Sequence, residues 1–144
     1  MNIVLDTNIV FSALLSKHGT INDILLNSAV SFDFYPPSFL LEELRNHQSK
    51  LLKISGYSSD ELEVLKQEIY RNINFIDIER INENVFEKAY LLTHDVDEFD
   101  TPFIALALEL EAHLWTGDKK LIKGLLEKGV GFLLDTEQLK RIRE

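Results

Sequence analysis

A chain of 144 residues suits a single domain with one core, spanning residues 1–144, and a hydrophobic share of 45% without any low-complexity tract excludes disorder. The absence of cysteine excludes disulfides, thiolate zinc sites and cysteine nucleophiles, and is compatible with a reducing interior. A formal charge of −9 counts against a nucleic-acid partner unless bound cations or a local basic rim offset it.

Asn2 to Leu5 is a short apolar strand ending at Asp6-Thr7-Asn8. This run meets Asp6 far too early for a signal peptide or membrane span, so a soluble, cytoplasmic protein without membrane contact is expected. Ile9 to Leu15 reads as helical, His18-Gly19 breaks it, and Thr20 to Ser28 forms a second helix. Val30 to Tyr35 is strand-like until Pro36-Pro37 stops it, and Ser38 caps a helix running to about Lys53.

Gly56-Tyr57 turns the chain, and Ser58 with Glu61 three residues on offers a capping box for a helix to about Arg71. Ile73 to Ile78 is β-like, Asn82 to Thr93 helical, and 94–99 an acidic loop. A helix then runs from about Thr101 to Ala112, followed by a strand through His113-Leu114-Trp115-Thr116. Lys119 to Lys128 is helical, Val130 to Leu134 a last strand, and Thr136 to Arg143 a closing helix. Strands separated by helices predict an α/β fold, a three-layer α/β/α sandwich around a mostly parallel sheet.

In such sheets ligands bind beyond the carboxyl ends of the strands. Asp6 directly follows the first strand, Asp118 follows the Trp115-Thr116 strand after one glycine, and Asp100 opens a helix. On the helix after Ser38, residues advance by about 100° each, which points Glu42 away from the apolar stripe and leaves Glu43 on its flank, able to reach a cleft. Each acid also suits a plainer role alone. Asp6 and Asp118 are good helix caps, Asp100 sits two residues before Pro102 as caps do, and Glu43 could be a surface acid. A cap and a ligand are compatible, since a carboxylate has an oxygen for each.

Other sites are missing. The histidines at 18, 47, 94 and 113 lack metal spacing, so zinc is not expected. There is no P-loop, no G-x-G-x-x-G and no G-x-S-x-G. Asp95, Asp97 and Asp100 fail as a calcium loop, because the sixth and twelfth positions hold Asp100 and Leu106. The aromatic residues fall on apolar faces and suit core packing better than base stacking. The basic residues cluster late, as Lys119, Lys120, Lys123, Lys128, then Lys140, Arg141 and Arg143.

Four stretches in order resemble the PIN domain family, the ribonuclease fold of VapC-type toxins, in its branch of toxin components. They are Val4-Leu5-Asp6-Thr7-Asn8, Leu41-Glu42-Glu43-Leu44, Asp97-x-x-Asp100 with Ile104, Ala105 and Ala107, and Trp115-Thr116-Gly117-Asp118-Lys119-Lys120-Leu121. The resemblance implies an endoribonuclease using Mg²⁺ or Mn²⁺, with Asp6, Glu43, Asp100 and Asp118 as its acidic cluster. It further implies Asp6, Asp100 and Asp118 as metal ligands with Asp97 auxiliary, and Asn8 and Thr116 as donors that orient carboxylates. RNA is the implied substrate, an antitoxin protein a possible partner, and a homodimer the implied assembly. Two alternatives stand beside it: a haloacid-dehalogenase-like Mg²⁺ phosphatase, and a PIN scaffold that binds protein or RNA without cutting. Against the phosphatase, the Asp-x-Asp-x-Thr pattern is broken by Asn8 and by the lack of Thr at position 10.

Overall fold

The computed structural model describes residues 1–143. Four short strands are present among them: β1 (Asn2–Leu5), β2 (Asp33–Tyr35), β3 (His113–Trp115) and β4 (Leu133–Leu134). They form one wholly parallel sheet in the order β2-β1-β3-β4. Successive residues of a strand face opposite sides, and the core divides accordingly. Ile3, Leu5, Phe34, Trp115 and Leu134 pack on one face, with α1 (Thr7–Leu15), α2 (Thr20–Asn27), α4 (Gln48–Ser55), α5 (Ser59–Tyr70) and α9 (Thr136–Arg143). Val4, Leu114 and Leu133 pack on the other, with α6 (Glu83–Thr93), α7 (Thr101–Glu109) and α8 (Lys119–Leu126). The architecture is the expected α/β/α sandwich.

Chain order and strand order diverge at β1. From β1 the chain moves to one side to form β2, then crosses back to place β3 on the other side of β1. The carboxyl ends of β1 and β3 therefore flank a switch point, where neighbouring connections leave in opposite directions and open a crevice.

Local rules account for most elements. Asp6 caps α1 by accepting from the Asn8 N–H, so this helix begins at Thr7 rather than Ile9. The Ser58 capping box is complete, with the Ser58 hydroxyl on the Glu61 N–H and the Glu61 carboxylate on the Ser58 N–H. α7 stops at Glu109 instead of Ala112, because Glu111 takes a left-handed conformation and the Ala112 N–H turns back to the Ala107 carbonyl. α8 ends at Leu126, and Val130 is used by its C-terminal turn, donating to the Leu125 carbonyl, which leaves β4 only two residues. β2 is shorter than expected for a related reason. Ser31 and Phe32 both donate to the Ser28 carbonyl in a turn that leaves Val30 fully exposed.

Two expected elements are not formed as such. The helix from Ser38 to Lys53 is two helices, α3 (Leu40–Asn46) and α4, broken at His47. Ser38 does not cap it: Phe39 holds the cap position without a side-chain bond, and the Ser38 N–H donates to the Ile76 carbonyl. The break also turns Ile54 out of the apolar stripe, leaving it exposed. The stretch Ile73 to Ile78 meets β2 and its extension only at isolated bridges, Phe34 with Ile73 and Pro37 with Ile76. Pro36 and Pro37 have no N–H to give, so a continuous ladder cannot form there, and Ile78–Arg80 closes instead into a 3₁₀ turn.

α8 lies so close to the loop after α6 that a Cβ on Gly124 would stand 2.8 Å from Val96 Cγ2. Overpacking of this kind costs about 1–3 kcal/mol, more than the roughly 0.5–1 kcal/mol that alanine gains over glycine in a helix. Gly124→Ala is expected to lower the melting temperature, whereas in a Val96→Ala background the same change raises it; thermal denaturation of the four proteins of this cycle checks the pair.

Candidate active site

Asp6, Glu43, Asp100 and Asp118 come from four different elements. Asp6 leaves β1, its backbone N–H still paired with the Trp115 carbonyl of β3 at 3.2 Å. The residue is only 7% exposed. Oδ2 accepts from Thr116 Oγ1 at 2.8 Å, and Oδ1 from the Asn8 backbone N–H at 3.4 Å. Thr116 is fully buried, and its hydroxyl also accepts the Asp118 N–H at 3.1 Å. One hydroxyl thus ties the two strand ends together. Asp118 spends Oδ1 on the Leu121 N–H, capping α8.

Asp97 and Asp100 bracket a 3₁₀ turn, Glu98–Asp100, that leads into α7. Asp97 is exposed, and its Oδ1 caps this turn through the Phe99 N–H at 3.0 Å. Asp100 stands at the cap position of α7, yet its side chain makes no capping bond. Its Oδ2 is buried and has no hydrogen-bond partner in the protein. The carboxyl is pushed up to about 7, first by burial and then by the charges of Asp6, Asp97 and Asp118. A carboxylate serving only as a cap would be stabilised by the N–H groups it accepts; this one is not.

Glu43 comes in from α3 and is half-buried, while Glu42 beside it is exposed. Its carboxyl is also raised: burial leads, Asp6 adds, and the nearby Thr7 hydroxyl and His47 offset part of it. Asp6 itself is raised by burial, with Asp118 adding and the Thr116 and backbone hydrogen bonds opposing. The acids therefore share one electrostatic neighbourhood: Asp6 is felt by Glu43 and Asp100, and Asp118 by Asp6 and Asp100. They do not form a finished cage. Among the described residues no three acidic or histidine side chains are gathered tightly enough to hold an ion as they stand.

The donor set nevertheless suits a hard cation. All the groups are oxygens, Asp100 offers a buried oxygen with nothing else to do, and Mg²⁺ takes only one or two carboxylates with water and substrate completing its shell. The two orienting donors behave differently from each other. Thr116 orients Asp6 directly, whereas the Asn8 side chain is exposed and only its backbone N–H reaches Asp6.

Sequence reasoning passed over three threonines. Thr7 Oγ1 is buried beside Glu43 without a hydrogen bond of good geometry. Thr93 and Thr101 are buried with their hydroxyls 2.7 Å apart, and they reach the carbonyls of Ala89 and Glu98. That pair fastens α6 to the turn carrying Asp97 and Asp100. A threonine in the last turn of a helix, bonding back four residues, is the signal that would have found the first of them.

Comparison with known proteins finds a family model and solved structures that match. The family model described as PIN domain matches residues 4–142. The crystal structure of VapBC2 from Rickettsia felis, bound to a DNA fragment from their promoter, superposes with a TM-score of 0.67 at 18% identity, covering 94% of this chain and 98% of that one. No curated protein matches.

The raised carboxyl groups set a pH dependence. A buried carboxyl that holds its proton up to about 7 when folded, against 3.8 otherwise, favours the folded state below the lower value, and this contribution is lost as pH rises through the upper one. Metal-free protein is expected to melt progressively lower as pH rises from about 4 to about 7. Asp100→Asn flattens most of that slope, and calorimetry of both proteins across the range, with chelator present, checks it.

Proposed function

We propose that this chain, which belongs to the PIN domain family, is a divalent-metal-dependent endoribonuclease built as one nuclease domain over residues 1–144. The observation that carries the reading is Asp100: a buried, unpartnered carboxylate oxygen facing the charges of three other acids at the switch point of a parallel sheet. Such a group is costly to bury. A cation against it repays that cost, and phosphodiester hydrolysis is the chemistry that an oxygen-lined cation site serves.

Asp6, Asp100 and Asp118 would hold Mg²⁺ or Mn²⁺, with Asp97 assisting at the open edge. Bound there, such an ion supplies Lewis acidity and makes water a nucleophile near neutral pH. The remaining work belongs to the chain. Thr116 Oγ1 and the Asn8 backbone N–H hold Asp6 in one orientation. Asp118 keeps one oxygen on the α8 backbone and has the second free for the site. Glu43, whose carboxylate is made a stronger base by burial and by Asp6, would in its ionised form take the proton released when water attacks phosphorus.

The likeness to a VapBC structure supports the finer reading of this chain as the toxin half of a toxin–antitoxin pair with an antitoxin protein as partner; a homodimer remains part of the proposal on the family resemblance alone. Cytoplasmic RNA is then the substrate; among the described residues no helix is long and apolar enough to cross a membrane. The phosphatase alternative has no structural observation in its favour. A non-catalytic scaffold would have no use for the unpartnered, buried oxygen of Asp100.

With mixed single-stranded and structured RNAs and Mn²⁺, the wild-type protein is expected to cut, and excess chelator to stop it. Asp100→Asn and Asp6→Asn abolish cleavage. Thr116→Val, which removes only the orienting donor, lowers activity or metal affinity by roughly 10–100-fold. Equal cleavage by wild type and Asp100→Asn on gels would refute the assignment.

A further inference from the structure

The late basic cluster of the sequence is divided by the structure into engaged and free parts. Lys128 pairs with Asp95 and donates to the Leu92 carbonyl, fastening the C-terminal end of α8 to that of α6. Arg143 is bound to Asp23 and Ser28 at 2.9 and 3.3 Å, fastening α9 to α2. Lys119, Lys120 and Lys123 are exposed, and none of them is in an ion pair among the described residues. Yet the chain carries 24 acids against 15 Lys and Arg, so a lysine left unpaired here is not short of available partners.

Their place on α8 is specific. Leu121 and Leu125 point into the core. At about 100° per residue, Lys119, Lys120 and Lys123 fall within one arc of about 100° on the opposite side. That arc starts one residue after Asp118, whose charge is felt by both Asp6 and Asp100. Lysine in a first helical turn is also unfavourable, because the backbone N–H dipoles there already present positive charge. Beyond the N-cap Asp118, α8 holds no acid in its first turn to compensate. Stability alone would place Lys119 and Lys120 at the other end of the helix, where Lys123 already stands.

We propose that Lys119, Lys120 and Lys123 form a strip that binds the phosphates of a single-stranded polynucleotide and leads its backbone to the acidic cluster. The strip supplies the local positive charge that the chain as a whole lacks, and its role rests on reading that cluster as a nuclease centre. Phosphate, not base, is the group recognised: ammonium groups on flexible stems act as point charges without a bidentate pattern, so the strip binds without regard to sequence.

The test uses full-length protein carrying Asp100→Asn, so that RNA is bound but not cut, and a fluorescent single-stranded RNA titrated at several salt concentrations. Each phosphate neutralised on a single strand contributes about −0.7 to the slope of log K against log salt. Replacing all three lysines by glutamine is expected to weaken binding and to reduce the slope by about 2. The Mn²⁺-induced rise in melting temperature, read without Asp100→Asn, stays unchanged. Lys140→Gln with Arg141→Gln on α9 is the comparison and leaves the slope as it was. Equal slopes for the α8 variant and its parent, a loss confined to the α9 variant, or no RNA retained by the parent at low salt would each overturn the strip. Failure of the wild type to cut RNA, with the slopes behaving as stated, would overturn the nuclease reading instead.

Discussion

A hydrogen bond between residues 110 positions apart holds the working end of this molecule together, from Thr116 Oγ1 to Asp6 Oδ2. It spans the one place where the chain reverses its direction of travel across the sheet. β1 and β3 are in register up to Leu5 and Trp115, and the Asp6 N–H adds one more backbone bond to the Trp115 carbonyl. Beyond that point no ladder is left, and the side chains of the next residues take over. A buried carboxylate at such an end needs donors. Thr116 gives one, and by accepting the Asp118 N–H it also fixes where the third acid-bearing element starts.

The Asp100 side works by the opposite principle. Asp6 is buried but hydrogen-bonded; Asp100 is less buried but has an oxygen with no partner, and three acids raise its proton affinity. The surrounding fold does not relax this. Thr93 and Thr101 lock the preceding turn, Asp97 caps it, and Pro102 stiffens the start of α7. Three restraints thus hold Asp100 beside the other acids. On the proposed reading a cation would relieve the repulsion among them.

How much of this could be read in advance depended on range. Elements specified by neighbouring residues were legible, such as the Ser58–Glu61 box, the Asp118 cap and the strand before Asp6. Those decided by what lies alongside were not. Residues 73 to 78 have strand-like composition, but their only neighbour is an edge whose prolines cannot donate. The break at His47 is invisible to a periodicity argument, because apolar residues continue through it, and only the exposure of Ile54 betrays that the stripe has been turned. At the site, pattern and spacing singled out the acids, but not which would be held by donors and which left bare. Asp100 is the instructive case. Its local sequence resembles a cap more than any other acid does, and it occupies the cap position without making the bond.

The net charge of −9 is the remaining tension, and distance resolves it. At physiological ionic strength charges separated by more than about 8 Å are largely screened from each other. A polyanion approaching the mouth of the site therefore responds to the few charges nearest to it. The exposed acids of α5 and α6 contribute only a weak, salt-sensitive repulsion from further away. Following Asp118 on α8 are exposed lysines, two of them, Lys119 and Lys120, in a first turn whose dipole disfavours them. An acidic total disfavours indiscriminate adhesion to nucleic acid, so on the proposed reading binding is confined to a strand that reaches the mouth.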